Sequence, residues 1–517
     1  MTFNRRSVLK SAAVGAGSLV FLPHLLGRAQ AQGGTLTVSL PNNPSTLDPF
    51  YQANHDALVI SQSIFENLIA VDTDGNLVPQ LAAAMPEVSE DQLEYTFKLR
   101  EGVKFHNGKV LDAEDVKYSF DWVLNPENKA LRRPLFYRIA EVTVVDPLKV
   151  KFRLSEPFRP WLYYMMKYMG IVPKGSREEL GADKFKSAPV GVGTGPAKFV
   201  EWRQNDRVVL ERNADYWEEG APKWDKLVVR VIPDESSRLA YLLTGQLDVI
   251  SSPSPKDYVN LQKNPDVVVG AKQTLGGWFF LMTNNQTAPF DDINVRRAIS
   301  SAIDRKMIAD HIYYGLVAPA SIPAPPGSWW FDEDADAVNA YDPAKAKTLV
   351  QQSKYAGKCE FDMLVPSHPY LVDVRDAAVI IQAQLAEIGV KVNIQELEQG
   401  VLLQQTRNGT YTAALQVWMS PGEPTYMIDL IYGKDNVFSK SVGWTNERAW
   451  DLIGQTYRHS DEATLKPIFT ELLGELADQA PHVWLGFVSA TNAWRKDVQN
   501  FKVNQGLTMR VKDVSNS

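Results

Sequence analysis

The polar and apolar positions of this chain follow two different periods. Thr35-Leu36-Thr37-Val38-Ser39-Leu40 alternates, as a half-buried strand must when successive side chains leave on opposite faces. The runs Tyr95 to Arg100, Val150 to Leu154 and Leu227 to Val231 alternate in the same way, with Pro and Gly between them, and predict a strand-rich first half. Further on the period lengthens. Ala298, Ile299, Ala302, Ile303 and Met307 fall on one face of a helix, and so do Ala378, Ile381, Leu385 and Ile388. Gly389 follows the second set, where a left-handed C-terminal residue is expected, and Val390, Val392 and Ile394 alternate directly after it. Leu465, Ile468, Leu472 and Leu476 mark one more helix ahead of Pro481. Helix–glycine–strand units belong to α/β layers. The pattern predicts an α/β protein of two lobes, with an additional β-rich portion in the first.

The N-terminus reads as an address. Arg5-Arg6 precede Leu9-Lys10, an uncharged stretch rich in Ala, Gly, Val and Leu runs from Ser11 to Leu26, and Ala29-Gln30-Ala31 fits signal peptidase. The paired arginines point to the twin-arginine route. Residues 1–31 are expected to be removed as a signal peptide. The apolar run is short for a bilayer span and is interrupted by Pro23 and His24. No cysteine stands near the cleavage site to carry a lipid, so a soluble periplasmic protein is expected. Removing 31 of 517 residues leaves 486, too many for one core. The full chain carries a net charge of −7, and the signal holds Arg5, Arg6, Lys10 and Arg28 with no acid, so the mature charge is −7 − 4 = −11. An acidic surface argues against nucleic acid and against anionic lipid as partners. The single cysteine, Cys359, cannot form an intrachain disulfide and is expected in the core.

A series of ordered motifs then carries a family resemblance. They are Pro44-Ser45-Thr46-Leu47-Asp48-Pro49, Ile64-Phe65-Glu66-Asn67-Leu68-Ile69, Leu77-Val78-Pro79-Gln80-Leu81-Ala82, the run from Tyr95 to Gly108, Ala113-Glu114-Asp115-Val116, Gly193-Thr194-Gly195-Pro196, Arg212-Asn213-Ala214-Asp215-Tyr216-Trp217 and Val295-Arg296-Arg297-Ala298-Ile299. Together they resemble the peptide/nickel/opine class of extracellular solute-binding proteins, family 5, of ABC importers. Most of these residues are expected to be structural, with Leu99, Val103 and Phe105 in the core. The resemblance implies a two-lobed periplasmic-binding-protein fold with an extra β-rich subdomain in lobe I. It implies lobe I over 32–270 plus 487–517 and lobe II over 271–486. Strands would cross near Gly277–Leu281 and near Trp484–Phe487, with the ligand in the cleft.

The resemblance also implies cleft residues. Trp418 stands where the family places a tryptophan at the start of a cleft loop, usually followed three residues later by an acid that neutralises a peptide's amino terminus. Here the loop reads Trp418-Met419-Ser420-Pro421-Gly422-Glu423-Pro424, one residue shorter, with Pro421 at the acidic position. Glu423 or Asp429 would have to substitute. His368 stands near the point where dipeptide-binding members can carry an arginine for the ligand carboxylate. Arg375 and Arg407 are further cations for an anionic ligand. Tyr51, Asn54 and His55 follow the Leu-Asp-Pro turn, and Trp278 lies at the first crossing. Asn284 and Asn285 are candidate hydrogen-bonding groups.

Motifs for chemistry are missing. The chain has no Gly-x-Ser-x-Gly elbow and no His-Glu-x-x-His helix, its Gly191–Pro196 run lacks the Lys-Ser/Thr of a phosphate loop, and its seven histidines do not cluster at metal spacings. An exported hydrolase built on scattered carboxylates is the alternative of another class. The expected function is capture of a small peptide or peptide-like solute and its delivery to an inner-membrane ABC permease. Opines, oligosaccharides and metal complexes are the other ligand classes. The protein is expected to act as a monomer, without catalysis, cofactor, bound metal or nucleic acid.

Overall fold

A computed structural model of the chain describes residues 33–51, 55–367, 373–419, 422–505 and 509–516. The export segment expected over 1–31 lies outside the described residues, as do Asn54, His368 and Pro421. His55 begins a helix, but its side chain is also outside.

The main sheet has 11 strands among the described residues. At one end lie Lys391–Leu397, Glu360–Pro366 and Ala413–Met419, mutually parallel. At the other lie Val249–Ser251, Thr35–Leu40 and Lys226–Val231, also parallel, extended by the antiparallel strands Arg207–Arg212 and Ala197–Arg203. Two long antiparallel strands, Val267–Thr283 and His482–Arg495, join the halves and belong to both. The early residues of the first pair with the late residues of the second, Val267 to Gln273 against Arg495 to Ser489. The later residues, Trp278 to Met282, pair with Phe487 to His482 and, on the other side, with Ala413–Met419. Between Gln273 and Trp278 the register breaks. There the Thr274 hydroxyl donates to the carbonyl of Val488 (2.8 Å), so the chain keeps one tie where the ladder lapses. Two parallel half-sheets joined by two spanning strands make a two-lobed α/β fold. A separate four-stranded antiparallel sheet, Glu87–Val88, Glu94–Lys98, Lys149–Leu154 and Ile139–Asp146, is the extra β-rich subdomain.

The alternating runs form strands as the pattern requires, with Leu36, Val38 and Leu40 buried on one side of their strand. Val374–Glu387 is one helix, and Gly389 just beyond it has φ +83°, a conformation that a Cβ would strain. The helix expected through Ala298 and Met307 is instead two. Ile293–Ala302 ends at Ile303, and Asp304 caps Arg305–His311 by accepting from the Met307 amide (2.9 Å). The break has a purpose in packing. Arg305 is buried, and its guanidinium donates to the carbonyls of Trp484, Ser300, Ile303 and Asn339. After Gly102 the chain makes a single bridge, Lys104 with Val110, and Leu99, Val103 and Phe105 are buried as expected.

The ordered motifs converge. The Glu66 carboxylate accepts from Tyr216 Oη (2.8 Å), from Trp217 Nε1 (2.9 Å) and from Gln80 Nε2 (3.3 Å), while the Arg100 guanidinium lies 4.5 Å from the Trp217 ring. His106 Nε2 meets the carbonyl of Gly195 (2.9 Å). Asp48 pairs with buried Arg177 (2.5 Å), which also lies 4.3 Å from the Phe50 ring. Far-apart stretches of sequence are thus tied into lobe I by buried polar contacts, each of which is costly to leave half-made. Cys359 is a buried thiol, pushed up to about 11 chiefly by burial, and so is a packing residue.

Candidate functional site

Both indole-bearing candidates on the spanning face meet. Trp278 and Trp418 are register partners on adjacent strands, with ring centroids 6.1 Å apart. Side chains two apart on a strand share a face, so Phe280 and Gln416 join them. Trp418 Nε1 donates to Gln416 Oε1 (3.1 Å), and Trp418 packs on Phe438 (4.5 Å) and Phe280 (5.5 Å). Trp484 from the other spanning strand packs on Trp278 and Phe280 and donates to the Tyr432 hydroxyl (3.1 Å). Trp278 is 1% exposed, whereas Trp418 is only half-buried. Rigid rings of this kind offer large contact area at little rotamer cost.

The helix Trp161–Tyr168 reaches this aromatic cluster. Lys167 Nζ donates to the Met419 carbonyl (2.7 Å), directly after Trp418. One turn earlier, Tyr164 donates to Asp429 Oδ2 (2.8 Å) on the lobe II helix Pro424–Tyr432. Tyr457 donates to the other oxygen of Asp429 (2.6 Å). Tyr164 and Tyr426 pack 4.6 Å apart across the same junction. Arg138 lies over Phe158 (4.0 Å) and over Tyr457 (5.5 Å). Burial raises the Asp429 carboxyl, opposed by Arg138 and the two tyrosines. The two helices therefore meet through a buried, hydrogen-bonded carboxylate and tilted aromatic rings.

Glu423 caps the Pro424–Tyr432 helix, accepting from the Tyr426 amide (2.5 Å), and lies 3.8 Å from Arg159 Nη1. Its carboxyl is raised, first by burial. Both acids that follow Pro421 are thus held in structural roles. Tyr51 sits elsewhere in lobe I, its hydroxyl donating to the Asn128 carbonyl and its ring 5.9 Å from Arg177. Arg375 is exposed and paired with Glu396. Asn284 binds the carbonyls of Gly409 and Tyr411 (3.1 Å each), and Asn285 that of Pro481 (2.9 Å), so both serve the backbone.

Sequence reasoning missed three neighbours of the cluster. Arg132 lies 4.0 Å over the Tyr168 ring, Lys167 lies 5.1 Å from it, and Tyr164 bridges to Asp429. Nothing in the local pattern marks them; Lys167 and Arg132 read as ordinary surface cations. A separate cavity of about 190 Å³ in lobe I is lined by Glu66, Trp217, Trp224, Arg510 and Lys512 and shares only Lys167 with the cleft cluster. It belongs to the motif network around Glu66.

Comparison with known proteins now identifies the architecture. Residues 76–439 match the model for bacterial extracellular solute-binding proteins, family 5. A glutathione-binding protein from Salmonella paratyphi A is 31% identical over 395 residues, covering 75% of this chain and 73% of its own. A di/tripeptide-binding protein from Pseudomonas aeruginosa is 27% identical over 97% of each chain. Among solved structures, the periplasmic binding protein DppA from Helicobacter pylori, in complex with the peptide STSA, superposes with a TM-score of 0.85 at 26% identity, covering 94% of this chain and 98% of its own. AgaA from A. tumefaciens R10, in complex with agropinic acid, superposes with a TM-score of 0.84 at 27% identity, covering 94% and 99%. Proteins of this family are extracellular or periplasmic non-enzymatic components that bind a solute for an ABC importer and work with a membrane permease; no helix among the described residues is long and apolar enough to cross a membrane. The motifs, the two half-sheets joined by spanning strands and these likenesses agree: the chain belongs to the bacterial extracellular solute-binding proteins, family 5.

Proposed function

We propose that this protein captures a small peptide or peptide-like solute between its lobes and delivers it to an inner-membrane ABC permease, acting as a monomer without catalysis and without nucleic acid. The observation that carries this reading is the aromatic cluster of Trp278, Trp418, Trp484 and Phe438, set where the Trp161–Tyr168 helix of lobe I closes on lobe II. Trp418 is the central ligand contact and Trp278 its support. His368, Asn54 and His55 are further contacts that the family resemblance favours, while Tyr51, Arg375 and Glu423 have partners elsewhere and act indirectly. Residues 32–270 with 487–517 form one moving body and 271–486 the other, hinged at the register break. Export uses the twin-arginine route. The peptide reading draws on the likeness to di/tripeptide-, glutathione- and STSA-binding relatives. The likeness to the agropinic acid complex supports an opine as the second reading. Mass spectrometry of the solute that co-purifies with periplasmic protein tests both. Recovery of an unmodified peptide or opine supports solute capture, whereas steady turnover of such a compound by the purified protein overturns it.

A further inference from the structure

The cavity beside Glu66 lies apart from the aromatic cluster, and the chain leaves one polar end of it incomplete. It holds about 190 Å³; an apolar cavity of roughly 150 Å³ takes up benzene. Val71, Val78, Met166 and Trp224 are among its apolar walls. Glu66 and Asn67, consecutive residues that are 1% and 4% exposed, both line it. The Asn67 amide nitrogen donates to the Met166 carbonyl (2.8 Å), which leaves Oδ1 as a buried acceptor without a donor among the described residues. The Glu66 carboxyl is held by neutral donors: Tyr216, Trp217, Gln80 and the Thr194 hydroxyl. Lys512 also acts on it, but less than Trp217, Tyr216 or Thr194 does, and is itself paired with Glu218. The other cations of the cavity are drawn elsewhere. Lys167 donates to the Met419 carbonyl (2.7 Å), and Arg510 is attracted by Asp72 and Asp513.

A carboxyl and an amide oxygen on neighbouring residues, with apolar walls beyond them, fit N–H donors carried on a small hydrocarbon body. A primary ammonium has three donors and no acceptor. Its charge also offsets the cost of burying an ionised carboxylate without a cation. An alcohol brings a single donor and no charge. We propose that this cavity is a second binding site, for a small primary amine whose ammonium lies between Glu66 and Asn67 Oδ1 and whose hydrocarbon part lies against Val71, Val78 and Trp224. The site is separate from solute capture and does not rest on that reading. The state of the carboxyl supports it: burial pushes Glu66 up to about 7 against the pull of its donors. An ammonium beside it favours the ionised form. Below pH 7 the amine therefore displaces a proton from Glu66 as it binds, and above pH 7 it does not. The other titratable groups on the cavity are Tyr216, Glu218, Lys167, Arg510 and Lys512. Burial and then Glu66 raise the Tyr216 phenol, so it stays neutral throughout this range.

The test uses the whole protein as purified, with its solute in place. Isobutylamine and benzylamine are titrated beside isobutanol, benzyl alcohol and benzoate. Ligand-detected NMR reads binding, and calorimetry at pH 6 and pH 8, in buffers of different ionisation enthalpy, reads the proton. The amines are expected to bind in about the millimolar range, as ligands of so few atoms do. They should bind about tenfold or more tightly than the alcohols, the scale of a lost charge-assisted contact, and release close to one proton at pH 6 and almost none at pH 8. Glu66→Gln should weaken the amines by a similar factor and abolish the proton release. Ala70 and Val78 are strand partners that both line the cavity. Ala70→Leu, which fills part of that space, should therefore weaken amines and alcohols alike while solute capture persists. The amine affinity should be the same after the solute is removed. Alcohols as tight as amines, an unchanged affinity in Glu66→Gln, an amine that competes with the solute, or a cavity that takes up water only would each overturn the inference, and each leaves solute capture standing.

Discussion

Removing one hydroxyl at the lobe junction should separate ligand affinity from fold stability. Tyr164 stands on a lobe I helix and donates to Asp429, 265 positions away in lobe II, across 2.8 Å. In Tyr164→Phe the ring remains to pack on Tyr426 and Phe158, so the perturbation is the hydrogen bond. Such a bond contributes about 1 kcal/mol if the acceptor is neutral and up to about 3 kcal/mol if it is ionised. Because the bond joins the lobes, an open form does not have it, and the loss falls on the closed state alone. The apparent dissociation constant scales inversely with the closed fraction. Affinity should therefore fall by about 5- to 150-fold, with little change in thermal stability of the solute-free protein. Tyr457→Phe is the control. Its hydroxyl binds the same carboxylate from within lobe II, so it should lower stability in both forms and affect affinity less. Calorimetric titration gives the affinity, scanning calorimetry the stability, and small-angle scattering the open fraction. Unchanged affinity in Tyr164→Phe, or an equal loss in Tyr457→Phe, would refute the assignment of this contact to lobe closure.

Trp418→Ala should weaken solute binding several-fold or more, as truncation of a central aromatic anchor does, and Trp418→Phe should keep part of it; equal affinities in titration count against the role of Trp418. The Glu66 carboxyl is pushed up to about 7 from 4.5, first by burial and against the Trp217 and Tyr216 bonds. Its folded form then holds a proton that the unfolded form has lost between those values, so its contribution is full below pH 4.5 and disappears as pH rises through 7. Wild type minus Glu66→Gln unfolding free energy should fall by up to about 3 kcal/mol over that window; parallel denaturant curves at both ends would contradict it. His106 and His482, lowered by burial to about 4 and about 3, act with the opposite sign below pH 6.5 but are common to both proteins and cancel in the difference. Gly486→Ala would bring a Cβ to 2.4 Å from the Ala318 carbonyl, where the strand Val317–Pro319 pairs with the second spanning strand. A loss of about 1–3 kcal/mol is expected, read as a lower melting temperature, and an unshifted melt would show that this edge gives way freely.

How much of this was legible in the chain depends on the range of each interaction. Strand alternation and the Gly389 stop are local, set by neighbours a few residues apart, and the sequence pattern carries them directly. The split at Ile303 was hidden because the apolar face runs on through it; what breaks the helix is Asp304 as a cap and a distant demand, the Arg305 guanidinium feeding carbonyls as far away as Trp484. The motifs were visible as a set, but their meaning was not. Glu66, Gln80, Arg100, Tyr216 and Trp217 gain their roles only where the fold gathers them. The candidate site divides along the same line. Trp278 and Trp418 are large aromatic residues at crossing positions, so composition and place suffice to find them. Arg132, Lys167 and Arg407 do not differ in sequence from solvated cations such as Arg375. They differ in what surrounds them: Arg375 has Glu396, while Arg407 has an aromatic ring and no acid among the described residues. Sequence lists which charges exist, whereas only topology shows which of them are answered.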